Sequence, residues 1–159
     1  MFTLATYTAV HVLISVVGIG SGLVMMAGLL SSKRVEPLTQ VFLSTTVLTS
    51  ATGFGFPFHH VLPSHMVGAL SLVVLAVAIY ARYGQRMAGP WRITYVVTAT
   101  VALYFNVFVL VVQLFLKVPA LNALAPTQSE PPFAIAQGAV LAVFAVLTVV
   151  AARTFHPER

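Results

Sequence analysis

Apolar positions along the chain form runs of about 20 residues, separated by short polar connections. A run of this length is what an α-helix needs to cross the hydrocarbon core of a bilayer. The pattern predicts five transmembrane helices, near residues 3–30, 38–57, 63–82, 91–116 and 132–152. We therefore expect an all-α fold, an integral membrane bundle in which residues 1–159 form a single transmembrane domain.

Composition agrees with this pattern. The 159 residues are 59% hydrophobic and 7% charged, and the mean hydropathy is +0.99. The net charge is +5, which in a soluble protein would suggest a nucleic-acid partner. In a membrane protein such an excess sits in short connections and orients the chain. The expected partners are therefore the lipid bilayer and other membrane subunits or further copies of the chain, and not nucleic acid.

The basic residues predict an orientation. Seven of the eight Lys and Arg residues lie in the first connection, around the end of the third segment and its following connection, or after the last segment. With five spans these three places share one side of the membrane, and Lys117 alone lies on the other. By the positive-inside rule, the C-terminus is cytoplasmic and the N-terminus is external. A four-span arrangement would divide the positive residues between both sides.

Four histidines fall in the outer part of this arrangement. The stretch GFGFPFHHVLPSH, residues 53–65, holds His59, His60 and His65 in an external hairpin, and His11 lies near the outer end of the first span. Histidine is a common ligand of haem iron, copper and zinc. His11 with His60 or His65 is a candidate axial pair for one b-type haem. A copper or zinc site would instead draw on three histidines, such as His11, His60 and His65, plus water, with His59 as a further candidate ligand.

Polar and small side chains follow helical faces. His11 and Ser15 share one face of the first span with Gly18 and Gly22, and small residues of this kind let membrane helices approach closely. Threonines form a similar stripe on the second span: Thr45, Thr49 and Thr52.

The fourth and fifth spans carry amides near the same outer end. Gln113 and Gln137 fall in the outer half, and Asn106 lies nearer the middle. We expect Gln113 and Gln137 to hydrogen-bond around the cofactor. The alternative is that these amides only join helices, at about 1 kcal/mol each.

The connection of residues 117–132 is long for a membrane hairpin. Leu121, Leu124 and Ala125 have helical spacing, which predicts a short amphipathic helix on the external surface. Such a helix would cover the histidine end of the bundle. The alternative is a loop that dips into the lipid headgroups.

Three functions are compatible with these features. The first is electron transfer through one b-type haem or a transition metal in the outer half. The second is a non-catalytic accessory or assembly subunit, in which the histidines are structural. The third is a small-solute permease, with Asn106, Gln113 and Gln137 along its path. Paired carboxylates and a phosphate-binding glycine loop are absent from the sequence, and whether the protein is an enzyme is left open.

The chain resembles small multi-pass proteins of the bacterial inner membrane whose function is uncharacterised. The resemblance is carried by HVLISVVGIGSGLVMMAGLL (11–30), TTVLTSATGF (45–54) and LKVPALNALAPTQSEPPFAIAQ (116–137). It implies a bacterial cytoplasmic (inner) membrane location and brings no known activity.

A weaker resemblance is to small helical bundles of b-type cytochromes, through His11 and His60 or His65. The chain departs from the two-haem members of that class because it has no histidine pair at the cytoplasmic end. This resemblance implies at most one haem, on the outer side.

Overall fold

The computed structural model describes residues 3–57 and 63–157. Across these residues the protein is helical and contains no strand. Its helices are α1 (Leu4–Leu30), α2 (Glu36–Gly53), α3 (Pro63–Ile79), α4 (Trp91–Lys117), α5 (Pro119–Leu124) and α6 (Pro131–Thr154). Helix α3 continues into a π-helical turn, Tyr80–Gly84.

Four helices of the described residues are long and apolar enough to cross a membrane. They are α1, α3 with its π-helical turn, α4 and α6, and they match four of the predicted segments. Helix α2 also forms where a span is predicted, but its 18 residues include five threonines and two serines. Glu36, Pro37 and Gln40 together with these hydroxyl residues lower the mean hydropathy of α2, so length and hydropathy alone do not identify α2 as a span.

One end of the bundle, which we call the histidine end, joins the start of α1 to the end of α2 and the start of α3. The Tyr7 hydroxyl donates to the backbone oxygen of Thr52 at 2.6 Å. The Thr52 carbonyl lies in the last turn of α2 and also accepts from the backbone N–H of Gly55 at 3.0 Å, so Tyr7 binds it as a second donor from α1. The ring centroids of Phe54 and His65 lie 5.6 Å apart, which brings the start of α3 to the same place.

The opposite end, which we call the arginine end, joins the start of α2 to the π-helical turn and the start of α4 to the end of α6. Arg82 forms an ion pair with Glu36. Arg92 donates to the backbone oxygen of Ala152 at 3.1 Å. Helices α1, α2, α3 and α4 therefore alternate in direction, since α1 and α3 both begin at the histidine end.

Glycine allows α1 to pack closely on its neighbours. A Cβ on Gly22 would lie 2.5 Å from Leu103 Cδ1 and 2.8 Å from Phe42 Cδ2, so only glycine fits without displacing these side chains. A Cβ on Gly18 would lie 3.0 Å from Thr45 Oγ1. The small-residue face predicted on α1 is confirmed as the face that meets α2.

The hydrophobic core lies towards the arginine end. Its largest fully buried side chains include Phe42 of α2, Tyr95 and Leu103 of α4, and Phe155 just after α6. Tyr95 and Phe155 pack with their ring centroids 6.4 Å apart. This core closes the bundle below the histidine end.

Helix α6 packs on α4 and leaves most of its surface uncovered. Only Phe144 and Ala151 are buried among its residues. Thr148 Oγ1 bonds Thr100 Oγ1 of α4 at 3.0 Å. In a bilayer, acyl chains cover apolar helix surface of this kind.

The predicted short helix in the long connection is confirmed as α5. Asn122 donates to the Phe115 backbone oxygen at 3.1 Å, and Gln128 donates to that of Val112 at 2.9 Å. These bonds hold the connection against the end of α4.

Glu130 precedes α6 at the end of this connection. Its carboxylate is partly desolvated, which opposes ionisation, but hydrogen bonds from Thr127 and nearby backbone N–H groups outweigh this effect and lower the pKa of Glu130.

Candidate functional site

A cavity of about 500 Å³ lies at the histidine end, between α1, α2, α3 and α4. Helix α1 lines it from Thr8 to Ile19, and α4 lines it from Phe105 to Lys117. The end of α2 and the start of α3 form the other walls. Its lining is mainly apolar with a few polar groups, as in ligand pockets, whose volumes are roughly 300–1,000 Å³.

His11 is half-buried and lines this cavity. Its Nδ1 lies 2.9 Å from Oγ1 of Thr52. The Thr52 hydroxyl donates its own proton to the backbone oxygen of Leu48 at 2.7 Å, so it accepts from His11. The hydrogen-bond network therefore assigns the proton of a neutral His11 to Nδ1 and leaves Nε2 as an acceptor or ligand atom.

His65 lines the same cavity from the first turns of α3 and is buried. Its ring lies against Phe54 at the end of α2. The structure thus brings together two of the predicted histidines, which are far apart in the chain. His59 and His60 lie outside the described residues.

Aromatic rings flank both histidines. The ring of Phe56 stands nearly perpendicular to that of His11, at 88° and 5.1 Å between centroids. Tyr7 packs edge-on against Phe56 at 5.0 Å. Phe54 and Phe56 both line the cavity, so these rings shield the imidazoles from bulk water.

Hydroxyl groups form the inner wall of the cavity. Ser15 of α1 and Thr49 of α2 lie 3.3 Å apart through their hydroxyl oxygens. Ser50 donates to Ser71 of α3 at 3.2 Å. The threonine stripe predicted on α2 is thus an interface, because Thr49 and Thr52 both bond side chains of α1.

The amides predicted at this end separate into two groups. Gln113 and Asn106 line the cavity, and Asn106 also donates to Thr46 Oγ1 of α2 at 3.0 Å. Gln137 is not among the lining residues; its amide nitrogen donates to the Phe108 backbone oxygen at 3.1 Å. Gln137 therefore joins α6 to α4. This is the second of the two roles considered for the amides, in which they only join helices.

Two glycines of α1 and α3 differ in their relation to the cavity. Gly68 of α3 lines the cavity, next to the Phe54 ring. Gly18 does not line it and instead faces Thr45 on α2. Helix α5 adds no residue to the lining, so the part of the connection that reaches the cavity is Lys117 and Val118.

Metal ligation by protein side chains alone requires several donors in one place. Within residues 3–57 and 63–157, no group of three or more His, Cys, Asp or Glu side chains could hold a metal ion. A transition-metal site at the cavity would therefore need His59 or His60, in addition to His11 and His65.

An ion pair at the arginine end is the feature that the sequence pattern misses. The Arg82 side chain is 4% exposed, and its partner Glu36 is 43% exposed. The guanidinium also lies over the rings of Tyr95 and Tyr83, at 4.9 Å and 5.6 Å. The order of the segments could have predicted this pair. Antiparallel helices place the start of the second segment, which holds Glu36, beside the end of the third segment, which holds Arg82.

Comparison of the chain with protein-family models, with curated proteins and with solved structures finds no match. The function of this chain is therefore inferred from its own geometry.

Proposed function

We propose that the protein is a five-span membrane bundle whose outer-half cavity holds one b-type haem for electron transfer. Helices α1 and α3 are both candidate spans and both begin at the histidine end. If both cross the bilayer, α2 must cross it in the opposite direction to connect them. This connectivity supports five spans even though α2 is comparatively polar.

The distribution of basic residues supports an external histidine end. Lys33, Arg82, Arg92 and Arg153 belong to connections or helix ends at the arginine end, whereas Lys117 lies at the histidine end. The positive-inside rule then assigns the arginine end to the cytoplasm. Location in a bacterial inner membrane is supported by the sequence resemblance.

The observation that carries the haem proposal is the convergence of His11 and His65 on one cavity from two different helices. A b-type haem in a helical bundle takes imidazole ligands from facing helices. The Thr52 hydroxyl engages Nδ1 of His11 and so presents Nε2 as the ligand atom. Hydrogen bonding of the other ring nitrogen is the usual way that proteins orient a ligating histidine.

The rest of the cavity is compatible with a porphyrin. Its volume is about 500 Å³, and its walls are mainly aliphatic and aromatic. A haem held there would supply one-electron transfer. The protein would contribute the His11 and His65 imidazoles as ligands, the orientation of His11, and the Phe54 and Phe56 rings beside them.

Copper or zinc is the less favoured occupant, because the described residues supply only two histidines to the cavity. The permease alternative is also less favoured. The buried side chains of Phe42, Tyr95 and Leu103 occupy the bundle beyond the cavity, and Gln137 lies outside the lining.

The test is absorption spectroscopy of the purified protein titrated with haem. We expect a Soret band with the features of bis-imidazole ligation, and we expect its loss in His11→Ala and in His65→Ala. His156→Ala is the matched control, since His156 is exposed and lies after α6 at the other end. A wild-type protein that binds no haem contradicts the proposal, as does equal binding by the His11 and His156 variants.

A further inference from the structure

The cavity opens sideways between α1 and α4. Several of its lining side chains are also exposed on the surface of the bundle: Val12 at 46% and Val16 at 56% on α1, and Leu110 at 36% and Leu114 at 40% on α4. The far wall is closed, because Ser71 is 3% exposed. The cavity thus runs from a buried hydroxyl-rich wall to an aliphatic opening.

With α1 and α4 placed across a bilayer, this opening would face lipid. Both helices that border it are candidate membrane spans. Val12, Val16, Leu110 and Leu114 all lie inside those candidate spans, so acyl chains would surround these side chains when α1 and α4 cross a bilayer. A ligand with an apolar body can therefore pass between the bilayer and the cavity without crossing water.

A cation lies at the edge of the same cavity. Lys117 is the last residue of α4, is exposed, and lines the cavity together with Val118. Of the Lys and Arg residues in 3–57 and 63–157, it is the one at the histidine end. Within the described residues, the ion pair is the one between Arg82 and Glu36. No carboxylate of these residues therefore lies within ion-pair distance of Lys117.

We propose that Lys117 binds the propionate carboxylates of the haem and that the haem enters from the bilayer between α1 and α4. This inference rests on the proposed function, and it names the group that fixes the ligand's orientation. Haem has an apolar macrocycle and carboxylates along one edge. The aliphatic opening matches the macrocycle, and Lys117 at the water-facing limit of α4 matches the carboxylates.

The first experiment compares two iron porphyrins, haem b and its dimethyl ester, which lacks the carboxylate charge. Protein in phosphatidylcholine vesicles is titrated with each, and the Soret band reports binding. We expect Lys117→Gln to weaken binding of haem b about five-fold, as for a partly exposed ion pair. Binding of the dimethyl ester should be unchanged, and Lys117→Arg should restore the preference for haem b.

The outcomes separate this inference from the function on which it rests. Loss of binding in His11→Ala combined with unchanged binding of haem b in Lys117→Gln overturns the role of Lys117 and leaves the haem site. Equal weakening of both porphyrins also overturns it, since that result indicates a structural role or a headgroup contact for Lys117. A wild-type protein that binds neither porphyrin overturns both.

The entry route has its own test. Leu110→Trp narrows the opening between α1 and α4, and we expect it to slow haem uptake from preloaded vesicles several-fold. Leu141→Trp is the matched control, because Leu141 is 53% exposed on α6, away from the opening. Equal uptake rates in the two variants would overturn entry between α1 and α4.

Discussion

Nδ1 of His11 donates to Oγ1 of Thr52 across the α1–α2 interface, at 2.9 Å. The direction of this bond is set by a second one, in which the Thr52 hydroxyl donates to the backbone oxygen of Leu48. A threonine thus determines which nitrogen of the histidine is available to a ligand. The same pair also joins the histidine end of α1 to α2.

Thr52→Val tests this relationship. Valine keeps the shape of threonine but cannot accept the His11 proton, so the imidazole loses its fixed orientation. We expect haem affinity to fall at least about ten-fold, the lower range for loss of a group that orients a ligand. Thr98→Val is the control, because the Thr98 hydroxyl bonds only backbone oxygens of its own helix. Soret titration of both variants checks the prediction, and equal affinity would contradict it.

Gly22→Ala tests the close packing of α1. The added Cβ would meet Leu103 and Phe42, which are both fully buried and cannot move freely. We expect a loss of about 1–3 kcal/mol in the free energy of unfolding, as for an overpacked core. Gly20→Ala is the control two residues away, since a Cβ there meets nothing within 4 Å. Thermal unfolding in detergent should show a lower midpoint for Gly22→Ala alone; a similar shift in both variants would count against the close contact.

Glu36→Gln tests the ion pair at the arginine end. The substitution keeps the side-chain shape but leaves the buried Arg82 guanidinium without its counter-charge. Loss of one partner of a buried pair costs about 3–5 kcal/mol, and because Glu36 is half-exposed we expect a smaller loss of about 1–3 kcal/mol. Fluorescence of Trp91, the single tryptophan, can follow unfolding.

The control for Glu36→Gln is Glu130→Gln. Glu130 hydrogen-bonds Thr127 and Ser129 in the connection before α6 and forms no ion pair with a described residue. We expect little change in its unfolding midpoint. If both variants unfold at the same temperature, the Glu36–Arg82 pair does not stabilise the bundle.

Single cysteines test the topology, because the natural chain contains none. Ser31→Cys, Ala88→Cys and Thr127→Cys place exposed thiols in the connection after α1, the connection before α4 and the connection before α6. With five spans, we expect a membrane-impermeant maleimide to label Thr127→Cys in intact cells, and the other two only after the membrane is opened. Labelling of Ser31→Cys and Ala88→Cys from opposite sides would show that α2 does not cross.

The sequence predicts the helices well, because the length of an apolar run is a local property and the thickness of the hydrocarbon core sets the length that a spanning helix needs. The segments expected near 3–30, 91–116 and 132–152 correspond to Leu4–Leu30, Trp91–Lys117 and Pro131–Thr154. The polar stripe from His11 to Gly22 was also visible, because residues three and four apart share a helix face. Its position against α2 follows from the tertiary structure.

By itself, then, the sequence determined that the protein is an apolar helical bundle and that His11, His65 and Gln113 belong to one end of it. Only the tertiary structure decided the partners of these residues. It directed Gln137 to the Phe108 carbonyl instead of the cavity, paired Arg82 with Glu36, and paired His11 with Thr52. The physical reason is that the rotation of each helix about its own axis, and the choice of neighbouring helix, depend on packing between segments that are distant in the chain.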